Sequence, residues 1–278
     1  MSEQPQATES FKKLPIDDME AIWGGGFKRA RAALGASAFG MSVSDLPPNF
    51  ERVPPHVHTF DGQEEVYIAL AGGGWLEING ERVPLTTENA IRVGPTAIRR
   101  PIAGAEGLRL LSVGGMPGKA YEPFPNSVAG APEWSIPDLP GVQAVEGHES
   151  SDDYTAKNFD EMDPFIGVVP GVGMYPVRKA LGIEAFGISR VVLEREPGVD
   201  DFTGYPDHDH SADGQEEVYV ITTGSGGLRM ADDDIEVEAG DMVRVAADVK
   251  RKWIPSKEGL SFIAIGAPIG KPYEPAQR

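Results

Sequence analysis

The chain has 278 residues and a formal net charge of −18, with 43 acidic against 25 basic side chains. That balance excludes a nucleic-acid backbone as partner, because phosphate binding needs a basic stripe, and the absence of cysteine excludes disulfides and thiolate chemistry. The opening MSEQPQATESFKKLPIDD lacks the apolar centre of a secretion signal and no apolar run is long enough to cross a bilayer, so a cytoplasmic protein with no membrane partner is expected.

Residues 1–26 are expected to form an N-terminal arm, in which glycines 24–26 of IWGGGFK make a turn; no GKS, GKT or GxGxxG pattern follows that would suggest phosphate binding. A first domain is expected over 27–123. It begins with FKRARAALG, which predicts a short helix or arm over a sheet edge. His56 and His58 then form an HxH pair inside HVHTFDGQEEVY. In an extended strand residues i and i+2 project to one face, so the two imidazoles point together. From Glu65 the text alternates with period two, Val66, Ile68 and Leu70 against Glu65, Tyr67 and Ala69, which predicts a half-buried strand. Gly72 to Gly74 supply a turn, and WLEI, AIRV and LRLLSV continue as short strands. Such a series suggests a sandwich or barrel. A linker and arm are expected over 124–173, with His148 at the surface.

A second domain is expected over 174–278, because a constant offset carries residues 56–123 onto 208–275 without a gap. HVHTFDGQEEVYIALAGGG lies over HDHSADGQEEVYVITTGSG, and EGLRLLSVGGMPGKAYEP over EGLSFIAIGAPIGKPYEP. The second copy therefore has its own pair, His208 and His210, with Glu217 and Tyr219 at the positions of Glu65 and Tyr67. Upstream, LGASAFG and LGIEAFG correspond at a different offset, which leaves extra residues near EREPGVDDFTGYPD, read as a loop. Arg31 and Arg178 correspond, and DDME at 17–20 resembles DEMD at 160–163. A repeat this long means tandem domains rather than a solenoid.

These stretches resemble the cupin superfamily, and the duplication resembles its two-domain members, the bicupins. The first cupin motif is a glycine-led HxH, a short variable stretch, a glutamate, six residues and a glycine; Glu65 to Gly72 and Glu217 to Gly224 keep that last spacing. The second is a GD, a strand, a Pro-Gly-type turn and a final histidine. GDMVRVAADVKR at 240–251 follows it with its GD intact and ENAIRVGPTAIR at 88–99 more loosely, and both end in arginine, Arg99 and Arg251, where the family has histidine. The resemblance covers nearly the whole chain apart from the first twenty or so residues and the linker around 124–150. It implies an all-β fold of two tandem cupin barrels, each a double-stranded β-helix or jelly roll, with a few short helices. It is compatible with first and last strands exchanged across domains or subunits and with a homodimer. About activity it implies little, because cupins host dioxygenases, decarboxylases, isomerases, storage proteins and sensors.

The cupin centre that the resemblance implies is three imidazoles and a carboxylate on a divalent ion, iron, manganese, nickel or zinc. Here the candidate ligands are His56, His58 and Glu65 in one half and His208, His210 and Glu217 in the other, each a two-histidine, one-carboxylate set with open positions. In a first reading these hold metal, and Arg99 and Arg251, which cannot coordinate, face the open positions and pair with a small anionic molecule. A metal-dependent dioxygenase, decarboxylase or isomerase fits that arrangement. In a second, each arginine replaces the cation by pairing with Glu65 or Glu217, no metal is required, and the chain is a non-catalytic small-molecule-binding or scaffold bicupin. A third uses a histidine as base and Tyr67 or Tyr219 as acid, without metal; the plainer role for either tyrosine is to fill space and find one hydrogen-bond partner. Glu64 and Glu216 point to the opposite face, toward solvent or a structural hydrogen bond. Gln63 and Gln215 share the ligand face and are placed to orient a histidine or a water.

Overall fold

The computed structural model describes residues 9–123, 136–165, 170–195, 202, 204–230 and 233–275; residues 196–201 and 203 of the extra loop before the second histidine pair lie outside them. In chain order the elements are β1 Phe11–Pro15, β2 Ala21–Ile22, β3 Phe27–Lys28, α1 Ala30–Leu34, β4 Gly40–Leu46, β5 Glu64–Ile78, β6 Glu81–Thr86, β7 Asn89–Val93 and β8 Arg99–Gly115. They continue with α2 Pro140–Gln143, β9 Tyr154–Asn158, β10 Val172–Tyr175, α3 Val177–Leu181, β11 Gly187–Leu193, β12 Gln215–Met230, β13 Asp233–Glu238, β14 Asp241–Val245 and β15 Arg251–Pro268. One sheet runs β2-β3-β4-β8-β5-β7-β9 with β6 on β5, the other β1-β14-β12-β15-β11-β10 with β13 on β12. None of the helices among the described residues is long and apolar enough to cross a membrane.

Each sheet closes on itself because its two longest strands bend. The first part of β5 pairs with β7 and the end of β8, and its second part with β6 and the start of β8. The bend falls at Gly72, where φ is +67° and the β5–β8 register shifts. A Cβ there would overlap the carbonyl oxygen of Gly107, so both the backbone conformation and the close approach require glycine. Gly224 repeats the device against Gly259.

The alternation seen in the sequence holds, but the first part of β5, residues 64–69, is buried on both faces rather than half-buried. Tyr67 and Ala69 point into their own barrel, beside Leu76, Ile91 and Leu110. Val66 and Ile68 point the other way, into a core shared with Val218, Val220, Ile263 and Ile265 of the second barrel. The outer face that would meet water in an isolated barrel meets the other barrel here. At about 1.5–3 kcal/mol per fully buried aliphatic side chain, this shared core is a large part of the stability of both halves.

Strand exchange ties the halves further, although not through the last strand. β1, from the N-terminal arm, pairs with β14 in the second barrel, and β9, from the linker, pairs with β7 in the first. Each is followed by a short 3-10 turn, Ile16–Asp18 and Phe159–Glu161, which explains the likeness of DDME and DEMD. β15 stays in its own sheet, between β12 and β11. The two lead-in segments form α1 and α3, each ended by a glycine in the left-handed region, Gly35 and Gly182. Arg31 and Arg178 donate to the carbonyls of Ala36 and Ile183 just beyond those helices.

Candidate metal centres

The HxH segments are extended and enter each barrel opposite the start of its longest strand. His56 and Arg99 exchange both backbone hydrogen bonds, each at 3.0 Å, and His208 and Arg251 do the same at 3.1 and 2.9 Å. This ladder position places a guanidinium beside each histidine pair. Val57, between the histidines, points away and is fully buried. Glu65 then projects from β5 toward the two imidazoles, with His58 Nε2 3.1 Å and His56 Nε2 3.6 Å from its Oε2. In the second barrel His210 Nε2 lies 3.4 Å from Glu217 Oε1, and His208 Nε2 3.7 Å from Oε2. In each half the three ligand atoms lie within 4.8 Å of one another.

That spacing fits a cation. Ligands about 2.1 Å from one ion and at right angles stand about 3 Å apart. The orientation of the imidazoles fits as well: His58 Nδ1 donates to Asp61 at 3.0 Å, and His210 Nδ1 to Asp213 at 3.1 Å. A carboxylate on the far nitrogen fixes the tautomer that leaves Nε2 as a ligand. Asp61 and Asp213 are functional residues that the sequence reading passed over, although both open the repeated DGQEEVY string three positions after the second histidine. Gln63 and Gln215 act one step further out, each donating its side-chain amide to that aspartate. Asp61→Ala is therefore expected to weaken metal binding about 10–100-fold while leaving the three ligands in place, as measured by competition with a chelating dye.

Without a cation the first centre is a tight network. Burial pushes the Glu65 carboxyl up, but the charge and hydrogen bonds of His58 and His56, together with Arg99, bring it well below the ordinary carboxylate range. Burial lowers His58, and Glu65 and Asp61 more than reverse this, raising it to about 9. Burial dominates at His56, which is lowered. A cation bound here would have to displace the proton on His58. Tyr67 and Tyr219 donate their hydroxyls to Glu65 and Glu217. Burial and the adjacent carboxylate raise both phenols well above their usual value, so they stay protonated.

The arginines are turned toward the carboxylates. Arg251 Nη2 lies 2.5 Å from Glu217 Oε2, its Nε donates to Tyr219 at 3.1 Å, and its Nη1 to the Val249 carbonyl at 2.8 Å. Arg99 makes the matching bonds to Tyr67 and the Ala97 carbonyl, but its Nε stands 3.4 Å from Glu65 and its buried Nη2 finds no acceptor among the described residues. The pair is therefore closed in the second barrel and looser in the first.

A larger difference lies beneath the clusters. His56, His58, Glu65 and Tyr67 open into a cavity of about 1060 Å³. Pro101, Leu110 and Ser112 line it; the second barrel has Trp253, Phe262 and Ala264 at the same repeat positions. Trp253 and Phe262 are fully buried and stacked at 4.6 Å, with Tyr219 edge-on to Trp253 at 4.9 Å. Tyr205 packs against both His208 and Phe262. Among the described residues, these rings fill the part of the second interior that corresponds to the cavity.

The linker adds a wall to the first centre alone among the described residues. Val57 N donates to the Gly141 carbonyl at 3.0 Å, and a Cβ on Gly141 would lie 2.8 Å from the Val57 carbonyl oxygen, so only glycine lets α2 sit this close. His148, expected at the surface, donates to the Thr96 carbonyl at 2.8 Å and helps pin the linker down. The glycine turn at 24–26 also borders the cavity, a role its sequence does not reveal. Glu64 and Glu216 take the structural alternative, each fully buried at the contact between the barrels.

No family model and no curated protein matches the chain. Solved structures do. Protein YlbA from E. coli superposes with a TM-score of 0.62 at 16% identity, covering 97% of this chain and 93% of that one. Oxalate decarboxylase from Lactobacillus farciminis, in a formate complex, gives 0.65 at 14% identity over 96% and 89%. Oxalate decarboxylase from Bacillus subtilis, described by its Mn(II) centres, gives 0.63 at 16% identity over 99% and 81%. At such identities the likeness carries the fold, and the chain has the two-barrel cupin fold.

Proposed function

We propose that the chain is a metal-dependent enzyme whose working centre is the first barrel, with His56, His58 and Glu65 holding a divalent cation and a small anionic molecule entering through the adjoining cavity. The observation that carries this reading is the asymmetry between two clusters of the same composition: one opens into a large cavity, and the other has a filled interior and a closed ion pair. The Mn(II) centres named for the Bacillus subtilis structure make manganese the first ion to test.

A bound cation would supply Lewis acidity and open positions for an anionic oxygen. The chain supplies the rest. Asp61 holds the His58 ring, Tyr67 holds Glu65 by a hydrogen bond, and Arg99 adds positive charge behind the carboxylate without reaching the cavity wall. With the three ligands engaged, Asp61 and Tyr67 are the remaining proton carriers in the described cluster, and both are held, Asp61 by His58 and Gln63 and Tyr67 by Glu65. This favours decarboxylase or dioxygenase chemistry over an isomerase, which needs a side chain free to move protons.

The second reading, in which arginine takes the place of the cation, is favoured in the second barrel by the 2.5 Å contact between Arg251 and Glu217. There the cluster is a structural remnant. Elemental analysis of protein grown with manganese, iron, nickel and zinc supplied should find one divalent ion per chain, removable by chelation. A metal-free protein would overturn the enzyme reading, and two ions per chain would overturn the division of roles.

A further inference from the structure

We infer that the first barrel selects a carboxylic acid with a bulky apolar body, a ring or branched chain of aromatic size, over an acid as small as oxalate. This rests on the proposed metal centre, since the carboxylate end is placed by the cation.

The cavity is far too large for a two-carbon acid. Its volume of about 1060 Å³ lies just above the roughly 300–1000 Å³ of pockets that bury drug-sized ligands. Its lining is mostly apolar, with Trp23, Phe27, Phe50, Phe60, Leu139 and Val142 among the walls, and charged side chains such as Arg52 and the paired Asp45 and Arg109 border it away from the histidines. The missing volume has a definite shape: where the second barrel holds the stacked rings of Trp253 and Phe262, the first has Pro101 and Leu110. Space filled by aromatic rings in one half is left for a ligand in the other.

The mouth points the same way. Phe60 is 42% exposed, an unusual position for a large apolar side chain, and its ring stacks on His58 with centroids 5.6 Å apart. It packs against Gly141 of α2 and with that helix offers an apolar face beside the metal ligands. A flat apolar body that enters carboxylate first lies along the wall that Phe60 and α2 make together. Burial of such a body is worth about tenfold or more in affinity over a ligand that has only the carboxylate end.

Calorimetric titration of the manganese-loaded full chain with 3-phenylpropionate and with oxalate tests this, with metal content measured on the same samples. The expected result is at least about tenfold tighter binding of 3-phenylpropionate. Leu110→Phe, which installs the second barrel's residue, should abolish that advantage without loss of metal. Phe60→Ala, which removes a ring from the mouth and adds no bulk to the interior, should weaken 3-phenylpropionate more than oxalate, and so serves if the filled variant fails to fold. Equal binding of the two acids to metal-loaded protein, or tighter oxalate, overturns the inference while leaving the enzyme reading intact. Failure to load metal at all overturns both.

Discussion

Glu64→Ala and Glu216→Ala are each expected to cost about 3–5 kcal/mol of stability, the range seen when one partner of a buried ion pair is removed. Both carboxylates are fully buried at the contact between the barrels. Glu64 Oε1 accepts from the backbone N–H groups of Glu184 and Ala185, both at 2.7 Å, and its Oε2 from Arg92 Nε at 2.7 Å. Glu216 does the reverse: it accepts from the backbone of Ser37 and Ala38 in the first half and from Arg244 Nε at 2.9 Å. Truncation removes the acceptor of an arginine Nε and of two backbone N–H groups, although Arg92 keeps Asp153 and Arg244 keeps the Glu9 carbonyl. Because each glutamate holds the backbone of the opposite half, either variant should destabilise both barrels in one transition. Guanidinium chloride unfolding followed by tryptophan fluorescence and far-UV dichroism measures this. A loss below about 1 kcal/mol, within the range of an exposed pair, or separate unfolding of one barrel would show that the clamps do not couple the halves.

His58→Ala is expected to reduce bound metal and activity to background, whereas His210→Ala should leave both close to the unaltered protein. His58 is the histidine nearest Glu65, and Asp61 fixes its ring. Its loss leaves one imidazole and one carboxylate, too few to hold a divalent ion against water. His210 has the same neighbours in Asp213 and Glu217, but Arg251 already neutralises that carboxylate. A dication placed there would face the guanidinium across a poorly screened interior. Metal analysis of the two variants side by side separates the barrels, and equal losses in both would remove the division of roles.

Much of this was legible in the sequence. The repeat gave the two halves, period-two alternation from Glu65 and Glu217 gave the central strands, and i, i+2 spacing brought the histidines together. Glu64 and Glu216 were correctly assigned to the opposite face. What covers that face was not legible, because Val66 and Ile68 meet Val218 and Ile265 only after two distant segments have folded and docked. For the same reason the pairing of β1 with β14 could not be read from FKKLP, a short segment whose partner lies more than two hundred residues away. The unequal interiors were visible as letters, Pro101 against Trp253 and Leu110 against Phe262, yet their effect depends on packing density, which no single position records. Asp61 and Asp213 are a different case. They stood in the repeated string, and the need of a ligating histidine for a carboxylate on its other nitrogen was signal enough.

The most direct measurement is an anomalous difference map at the manganese edge from crystals of the full chain grown with manganese(II). The account predicts one strong peak, bounded by His56 Nε2, His58 Nε2 and a Glu65 oxygen, and none between His208, His210 and Glu217. A peak of equal height in the second barrel, or no peak in the first, would contradict it.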